Sequence, residues 1–271
     1  MALLYYLVEK GGIGMKLSKS VSRLCCLTVA LAISLLIGST VHGEVLWYDD
    51  FEDGEVDPAY VKKSNPGEWI EEDGVVKQTN PAPGDHTYLI IERGFPEPHW
   101  VMVKVRIDDW GDNDLSRAGI GVRLQPGDGA GFAFLIHNSL NNMEFLNDHI
   151  SWANNDTPPP FGQVEVGQWY WMKAEISDDA FNGKIWPVDE EEPDEWLLES
   201  APNIGGVRAE TGNVGLNGGS NTGSGLTLVS FDDFIVCSTP EECTVEGLTR
   251  FQAVDAAGKL STTWGQMKTL Y

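Results

Sequence analysis

The stretch WVMVKVRI at residues 100–107 alternates small branched apolar side chains with longer or charged ones. Successive side chains of a strand point to opposite faces, so the three valines and Ile107 share one face. Met102, Lys104 and Arg106 share the other. The pattern predicts a β-strand with one buried face and one face that is at least partly polar.

The stretch QWYWMKAEI at residues 168–176 repeats this pattern with aromatic residues. Its alternation places Tyr170 and Met172 on the core side, and it leaves Trp171 on the same face as Lys173 and Glu175. The face of Trp171 is therefore predicted to be the exposed one.

Short runs of branched and aromatic residues recur between Gly, Pro, Asn and Asp clusters from residue 45 to residue 236. About a dozen such strands without helical periodicity predict a β-sandwich or barrel. Asp73-Gly74 and Asn182-Gly183 are two-residue hairpin signals, so we expect mainly antiparallel pairing.

The first 43 residues have the pattern of a secretory signal peptide. Lys16, Lys19 and Arg23 precede the apolar run LCCLTVALAISLLIG at 24–38, which is followed by small residues. Residues 1–14 come before this basic region and suggest that Met15 is the true start. We expect an exported protein, secreted, at the cell surface or in the periplasm, without a membrane span after the leader.

The chain carries 41 acidic and 18 basic residues, a formal net charge of −23. Such an excess excludes nucleic acid as an expected partner, because phosphate binding needs a basic face. It disfavours anionic membranes for the same reason and makes divalent cations plausible ligands.

Two cysteines remain beyond the leader, Cys237 and Cys243, and they enclose STPEE. In an exported chain this spacing favours a disulfide, and it is poor spacing for a zinc site. Residues 44–238 are expected to form one domain. Residues 239–271 are expected to be a tail outside it, either a docking segment for a surface-anchoring partner, a surface-packed segment, or a tail without a role.

Several motifs together resemble a concanavalin A-like, laminin G-like jelly roll. They are listed here in chain order: WYDDFEDG at 47–54, WIEEDGVV at 69–76, GQWYWMKAEI at 167–176, FNGKIW at 181–186, GNVGLNGG at 212–219 and VSFDDFIV at 229–236. The pattern is also similar to the domain associated with 3-keto-disaccharide hydrolases in secreted bacterial proteins. The resemblance implies an all-β, two-sheet antiparallel sandwich, an architecture that hosts lectins, sugar-binding modules, glycosidases and spacers.

A polar cluster on the concave sheet is one candidate site. Glu144 and Asp148 share a strand face, and His137 lies on the preceding strand. Laminarinase-type retaining glycosidases of this fold carry an E-x-D-x-x-E strand, which the stretch at 144–148 does not match. The alternative is a few solvated side chains on a half-exposed sheet.

Further side chains could join this cluster by stacking on a sugar or hydrogen bonding to its hydroxyls. They are Arg123, Trp152, Trp171, Lys184 and Trp186. Because sandwich cores also use tryptophan heavily, each of the three tryptophans could instead be a core or rim residue.

Calcium is the one cofactor that the sequence suggests. Glu52 and Asp53 near the first strand, with Asp232 and Asp233 in the last, could supply hard oxygen ligands for a structural ion. Asp112 and Asp114 are a weaker candidate pair, since GDND is also ordinary turn chemistry. The loop DEEEPDE at 189–195 is expected to be solvated surface without a catalytic role.

Three functions therefore stay open at the level of sequence. The first is a noncatalytic module that binds carbohydrate or glycan. The second is a hydrolase or lyase acting on 3-keto-disaccharides, and the third is a structural adhesion or spacer domain.

Overall fold

The computed structural model describes residues 43–63, 67–84, 86–111, 115–126, 131–138, 142–147, 153–200, 211–219 and 224–254. The predicted leader at 1–43 lies outside these ranges except for its last residue. Asp112, Asp114, Asp148, Trp152 and the end of the tail beyond residue 254 also lie outside them. No helix of the described residues is long and apolar enough to span a membrane.

The described residues form seventeen strands. In chain order they are β1 Val45–Asp49, β2 Tyr60–Lys63, β3 Trp69–Glu72, β4 Val75–Gln78, β5 Pro83–Gly84, β6 Thr87–Ile91, β7 His99–Asp109, β8 Arg117–Leu124, β9 Phe132–His137, β10 Asn142–Asn147, β11 Ala153–Thr157, β12 Trp169–Ile176, β13 Phe181–Pro187, β14 Leu198–Ser200, β15 Asn213–Gly219, β16 Ser224–Gly225 and β17 Leu228–Cys237. One helix, α1, covers residues 245–254.

Two antiparallel sheets form a sandwich. Sheet A has the order β14-β13-β12-β7-β17-β4-β3, with β1 also paired to β17, and sheet B has the order β11-β10-β9-β8-β15-β6-β2. The short strands β5 and β16 pair separately. The predicted all-β jelly-roll sandwich of the concanavalin A type is confirmed.

The core fills the space between the two sheets. The valines and the isoleucine of WVMVKVRI lie there fully buried, as their alternation predicts. Phe134 and Phe181 both pack against Phe145, with ring centroids 4.9 and 5.7 Å away. Phe134 belongs to sheet B and Phe181 to sheet A, so these rings join the two layers.

The two predicted hairpin turns have different outcomes. Asp73-Gly74 joins β3 to β4, and both residues have positive φ, 57° and 71°, as a tight turn of this kind requires. Asn182-Gly183 lies inside β13, so that prediction is wrong. The β12–β13 turn is at residues 177–180 instead. Position 183 has no room for a side chain, because a Cβ there would lie 2.5 Å from the Phe134 ring.

A second apolar cluster lies on the outer face of sheet A, beneath α1. It comprises Trp100, Met102, Trp171, Trp186, Ile235, Leu248 and both cysteines of the disulfide. Cys237 and Cys243 are bonded, with Cα atoms 5.7 Å apart, which confirms the predicted pairing. Thr244 caps the N-terminus of α1, since its hydroxyl oxygen accepts a hydrogen bond from the Gly247 amide at 3.0 Å. Part of the predicted tail, residues 239–254, is therefore packed on the sandwich.

Candidate functional site

A band of polar side chains, interrupted by glycines and by Leu135, crosses the strands on the outer face of sheet B. One row of cross-strand neighbours runs, in order, through Tyr88, Asn217, Gly119, Leu135, Glu144 and Asp156. The adjacent row contains Gly219, Arg117, His137 and Asn142. Period-two alternation puts all of these on the face opposite the core.

Arg117 and Glu144 form the centre of this band. Arg117 Nε donates to Glu144 Oε1 at 2.6 Å, crossing over β9, and another Arg117 nitrogen donates to the Leu115 carbonyl at 2.9 Å. The Glu144 side chain is fully buried and the Arg117 side chain is 9% exposed. Because both groups are desolvated, their geometry is fixed and their interaction is weakly screened.

His137 lies beside this ion pair, opposite Arg117 in the β8–β9 register. Burial lowers the pKa of His137, and the Arg117 charge lowers it further, while Glu144 and Asp156 act in the opposite sense. A neutral imidazole near neutral pH can both donate and accept a hydrogen bond. Asp156 is exposed, so this end of the band is accessible to solvent. We call Arg117, His137, Glu144 and Asp156 the sheet B cluster.

The structure thus brings together His137 and Glu144, two residues that the sequence singled out. It adds Arg117 and Asp156, which the sequence analysis missed. The alternation in RAGIGVRL was a signal for Arg117, since it puts Arg117 on the outer face. Its contact with Glu144 depends on the pairing register of β8, β9 and β10, which local sequence does not reveal.

Arg123 does not join this cluster. A register shift between β8 and β15 and a positive φ of 48° turn Arg123 out of the alternation, six residues from Arg117 along β8. Its side chain is fully buried and pairs with Glu97, with Nε 2.7 Å from Oε1, and it also donates to the Ser177 carbonyl. Arg123 lies 4.9 Å from the centroid of Phe181. Its surroundings are those of a structural ion pair.

The prediction that Trp171, Lys184 and Trp186 join His137 and Glu144 in one cluster is wrong. These three residues lie on sheet A, and their side chains face away from sheet B. Trp171 and Trp186 are 3% and 2% exposed because α1 and the disulfide loop cover that face. The alternation placed Trp171 on the correct face but did not reveal its cover.

Lys184 belongs to a second polar cluster, on the same outer face of sheet A. Glu192 Oε1 lies 2.8 Å from both the Lys173 and the Lys184 ammonium groups, and Lys184 also donates to the Pro193 carbonyl at 2.6 Å. The two lysine side chains are only 4% and 7% exposed. The acidic loop is therefore anchored to the sheet through Glu192, which corrects the expectation that all of its acids are solvated surface.

The four carboxylates predicted to bind calcium do not form a metal site. Asp232 and Asp233 both pair with Lys104, at 2.9 and 2.5 Å, so a protein cation already lies between these two carboxylates. Glu52 and Asp53 are exposed, and Glu52 lies against Gly74. Within the described ranges no group of three or more His, Cys, Asp or Glu side chains could hold a metal ion. As the structure places them, these four carboxylates do not fit a calcium ion.

Two carboxyl groups on sheet A have clearly raised pKa values. Burial raises the pKa of Asp49 to about 6 and that of Glu71 to about 7, and hydrogen bonding to Asp53 contributes to the shift at Glu71. Tyr60, which is buried, interacts with Asp49. These acids lie near β1 and β3, at sheet A.

The fold and these surfaces define the chain as a concanavalin A-like jelly-roll sandwich. No protein-family model matches the sequence, and no curated protein matches it significantly. Solved structures share the fold at low identity. A glycosyl hydrolase family protein from Mycobacterium fortuitum superposes with a TM-score of 0.51 at 9% identity, over 71% of this chain and 99% of that one.

Two further solved structures are similar to the same extent. A glycoside hydrolase family protein from Mycobacterium thermorestibile gives a TM-score of 0.50 at 12% identity, over 71% of this chain and 100% of that one. A non-specific endo-β-1,3(4)-glucanase of family GH16 gives a TM-score of 0.50 at 11% identity, over 72% and 91%. At these identities the likeness shows the fold alone.

Proposed function

We propose that this chain is an exported, noncatalytic carbohydrate-binding jelly roll whose sugar site is the sheet B cluster. The observation that carries the proposal is the buried Arg117–Glu144 ion pair on the outer face of a sheet, with His137 beside it. Fixed charged donors and acceptors are what a protein needs to select among sugar hydroxyls. The carbohydrate-active proteins of similar fold support the proposal at the level of ligand class.

The chemistry of the cluster favours binding over catalysis. Glycoside hydrolysis needs a carboxylic acid with a raised pKa close to a second carboxylate. Glu144, the carboxylate at the centre of the cluster, is instead fully buried and held by the Arg117 guanidinium at 2.6 Å. The Glu144 carboxylate accepts a hydrogen bond from Arg117, so it is held in place to act as a hydrogen-bond acceptor.

A hydrolase is the second candidate, and one observation favours it. Glu144 and Asp156 oppose each other directly across the β10–β11 pair. Directly opposite residues have Cβ atoms about 5 Å apart, so two carboxylates so placed can approach the separation of about 5–5.5 Å found in retaining glycosidases. In that case Asp156, at the solvent edge, would face the substrate.

Both candidates can be tested with the purified protein on a glycan array and in hydrolysis assays with 3-keto-glucosides and β-glucans. Noncatalytic binding predicts array signals without turnover, and Glu144→Gln should lower them at least tenfold. Glu175→Gln, on the outer face of sheet A, is the matched control and should bind as wild type does. Turnover that Asp156→Asn abolishes would establish the hydrolase, and the absence of both binding and turnover would leave a spacer domain.

A further inference from the structure

A groove lies between the loop that follows β13 and the first two turns of α1. It has a volume of about 660 Å³, and its walls include Val188 of the loop and Val245 of the helix, each 39% exposed. A third valine, Val254, is 72% exposed at the end of α1. Single exposed apolar side chains are ordinary, whereas several beside one groove indicate a docking surface.

The groove is acidic as well as apolar. Its charged lining consists of one basic residue, Arg250, and four acids, Glu190, Glu191, Glu192 and Glu246. The two lysines of sheet A hold Glu192, and Arg250 lies 3.7 Å from Glu246. Within the described ranges Glu190 and Glu191 have no ion-pair partner, and both are exposed. A segment that fits this groove therefore carries apolar side chains with positive charge beside them.

The chain continues from α1 with DAAGKLSTTWGQMKTLY at residues 255–271, which lie outside the described ranges. This segment has one acid, Asp255, and two lysines, Lys259 and Lys268, although the whole chain has 41 acidic and 18 basic residues. Four of its large apolar residues recur at the i, i+4, i+7 and i+11 spacing that is typical of one face of a helix. They are Leu260, Trp264, Met267 and Tyr271. We call these four the apolar stripe.

We propose that residues 259–271 of this chain dock in the groove of the same molecule. The apolar stripe then covers the two valines of the groove, and the two lysines pair with Glu190 and Glu191. The groove is within reach, because α1 rises about 15 Å over its length and residues 255–258 span about 13 Å when extended. A link this short gives an effective concentration on the order of millimolar, which favours the segment's own groove over that of a second copy. This surface is separate from the sheet B cluster and does not depend on the sugar site.

Limited proteolysis of the purified full-length protein tests the role of the charges. Chymotrypsin cuts after accessible aromatic residues, so cleavage after Trp264, followed by mass spectrometry, measures how often the segment is undocked. The charge reversal Glu190→Lys with Glu191→Lys should speed this cleavage at least tenfold, because it places four lysines together. The matched control is Asp178→Lys with Asp179→Lys, which reverses two exposed acids in the turn at the other end of β13. The control should be cut as slowly as wild type.

Carbodiimide coupling tests the contact itself, since it joins a carboxylate to an ammonium group beside it. The wild type should give a cross-link between a lysine of the segment and Glu190 or Glu191 within one monomer. Trp264→Ala should lower the yield of this cross-link at least threefold, because it removes the largest side chain of the apolar stripe. Thr262→Ala, which lies off the stripe, should leave the yield unchanged. Both positions follow α1 in the chain, so neither variant should unfold the sandwich.

Three outcomes would overturn the proposal. One is cleavage after Trp264 at the same rate in wild type, the charge-reversal variant and its control. Another is a cross-link that is absent from the wild-type monomer; if it appeared only in covalent dimers, the groove would take the tail of a second copy. The third is a cross-link whose yield Trp264→Ala leaves unchanged, since the apolar stripe would then not contact the groove.

Discussion

The ammonium group of Lys104 lies 2.5 Å from a carboxylate oxygen of Asp233, and its neighbour Asp232 lies 2.9 Å from the same nitrogen. Adjacent residues of a regular strand point to opposite faces, so these two carboxylates should diverge. They converge because β17 contains an irregularity between Asp232 and Ile235, where Asp233 has a positive φ of 50°. The Asp233 carboxylate also accepts from Gln252 of α1 at 2.8 Å, so this bulge ties the helix to the sheet.

Replacing Lys104 should destabilise the protein. Lys104→Met leaves two adjacent carboxylates without their cation, which should cost about 1–3 kcal/mol of unfolding free energy, measured by urea denaturation. The matched control is Lys77→Met, whose partners Glu72 and Asp73 are exposed, and it should cost under about 1 kcal/mol. Chelator should not change the melting temperature of the wild type, because Lys104 supplies the positive charge. A clear loss of stability in chelator would contradict this assignment.

Trp171→Ala should also be strongly destabilising. The indole is 3% exposed, packs beside Trp186 at a centroid distance of 6.5 Å and lies 5.3 Å from the Lys104 ammonium. Truncating a buried tryptophan costs about 3–5 kcal/mol, since it leaves a cavity. Trp169→Ala, two residues earlier on the same strand face and only partly buried, should cost markedly less. Equal stability of the two variants by thermal melting would show that α1 does not cover this face in solution.

Local patterns predicted much of the fold. The alternation in WVMVKVRI depends only on strand geometry, and its apolar set is buried in the core. The Asp73-Gly74 turn follows from the positive φ that both positions require. The disulfide pairing followed from the number and spacing of the cysteines.

The candidate sites were harder to predict because they depend on contacts between distant parts of the chain. Period-two alternation showed that Trp171 faces away from the core, but it carried no information on the helix that covers it. Arg117 meets Glu144 only through the register of three strands. Bulges at Arg123 and Asp233 moved both side chains away from the positions that alternation gives them.

Glu71 should make the protein less stable as the pH rises. Burial, with a contribution from the Asp53 hydrogen bond, raises its pKa to about 7, so the folded protein retains a proton that the unfolded chain releases near pH 4.5. The stability from this group is therefore complete below about pH 4.5 and is lost as the pH rises through 7. Glu71→Gln should raise the melting temperature at pH 8 relative to wild type, with little difference at pH 5. Glu72→Gln, the exposed neighbour, is the control, and an identical effect of both variants at pH 8 would refute the assignment.

His99 should make the protein less stable as the pH falls, which is the opposite of the effect of Glu71. It is 1% exposed, and burial lowers its pKa to about 4, although Glu97 and the Pro96 carbonyl act to raise it. Near pH 6.5 the imidazole binds a proton in the unfolded chain, whereas in the folded protein it stays neutral. The contribution of His99 to stability is therefore complete above pH 6.5 and is lost as the pH falls towards 4. A shift of this size corresponds to about 3 kcal/mol, since each pKa unit is worth about 1.4 kcal/mol.

The His99 contribution can be isolated from that of Glu71 by difference. His99→Phe keeps a ring beside Phe95, whose centroid is 5.9 Å away, and removes the titrating group. Asp49 and Glu71 contribute equally to both proteins, so their contributions cancel in the difference between the unfolding free energies of wild type and variant. That difference should fall as the pH is lowered from 7 to 4. Urea denaturation at four pH values in this range measures the slope. A difference that does not vary with pH would mean that His99 is protonated as readily in the folded protein as in the unfolded chain, and that its burial does not govern its charge.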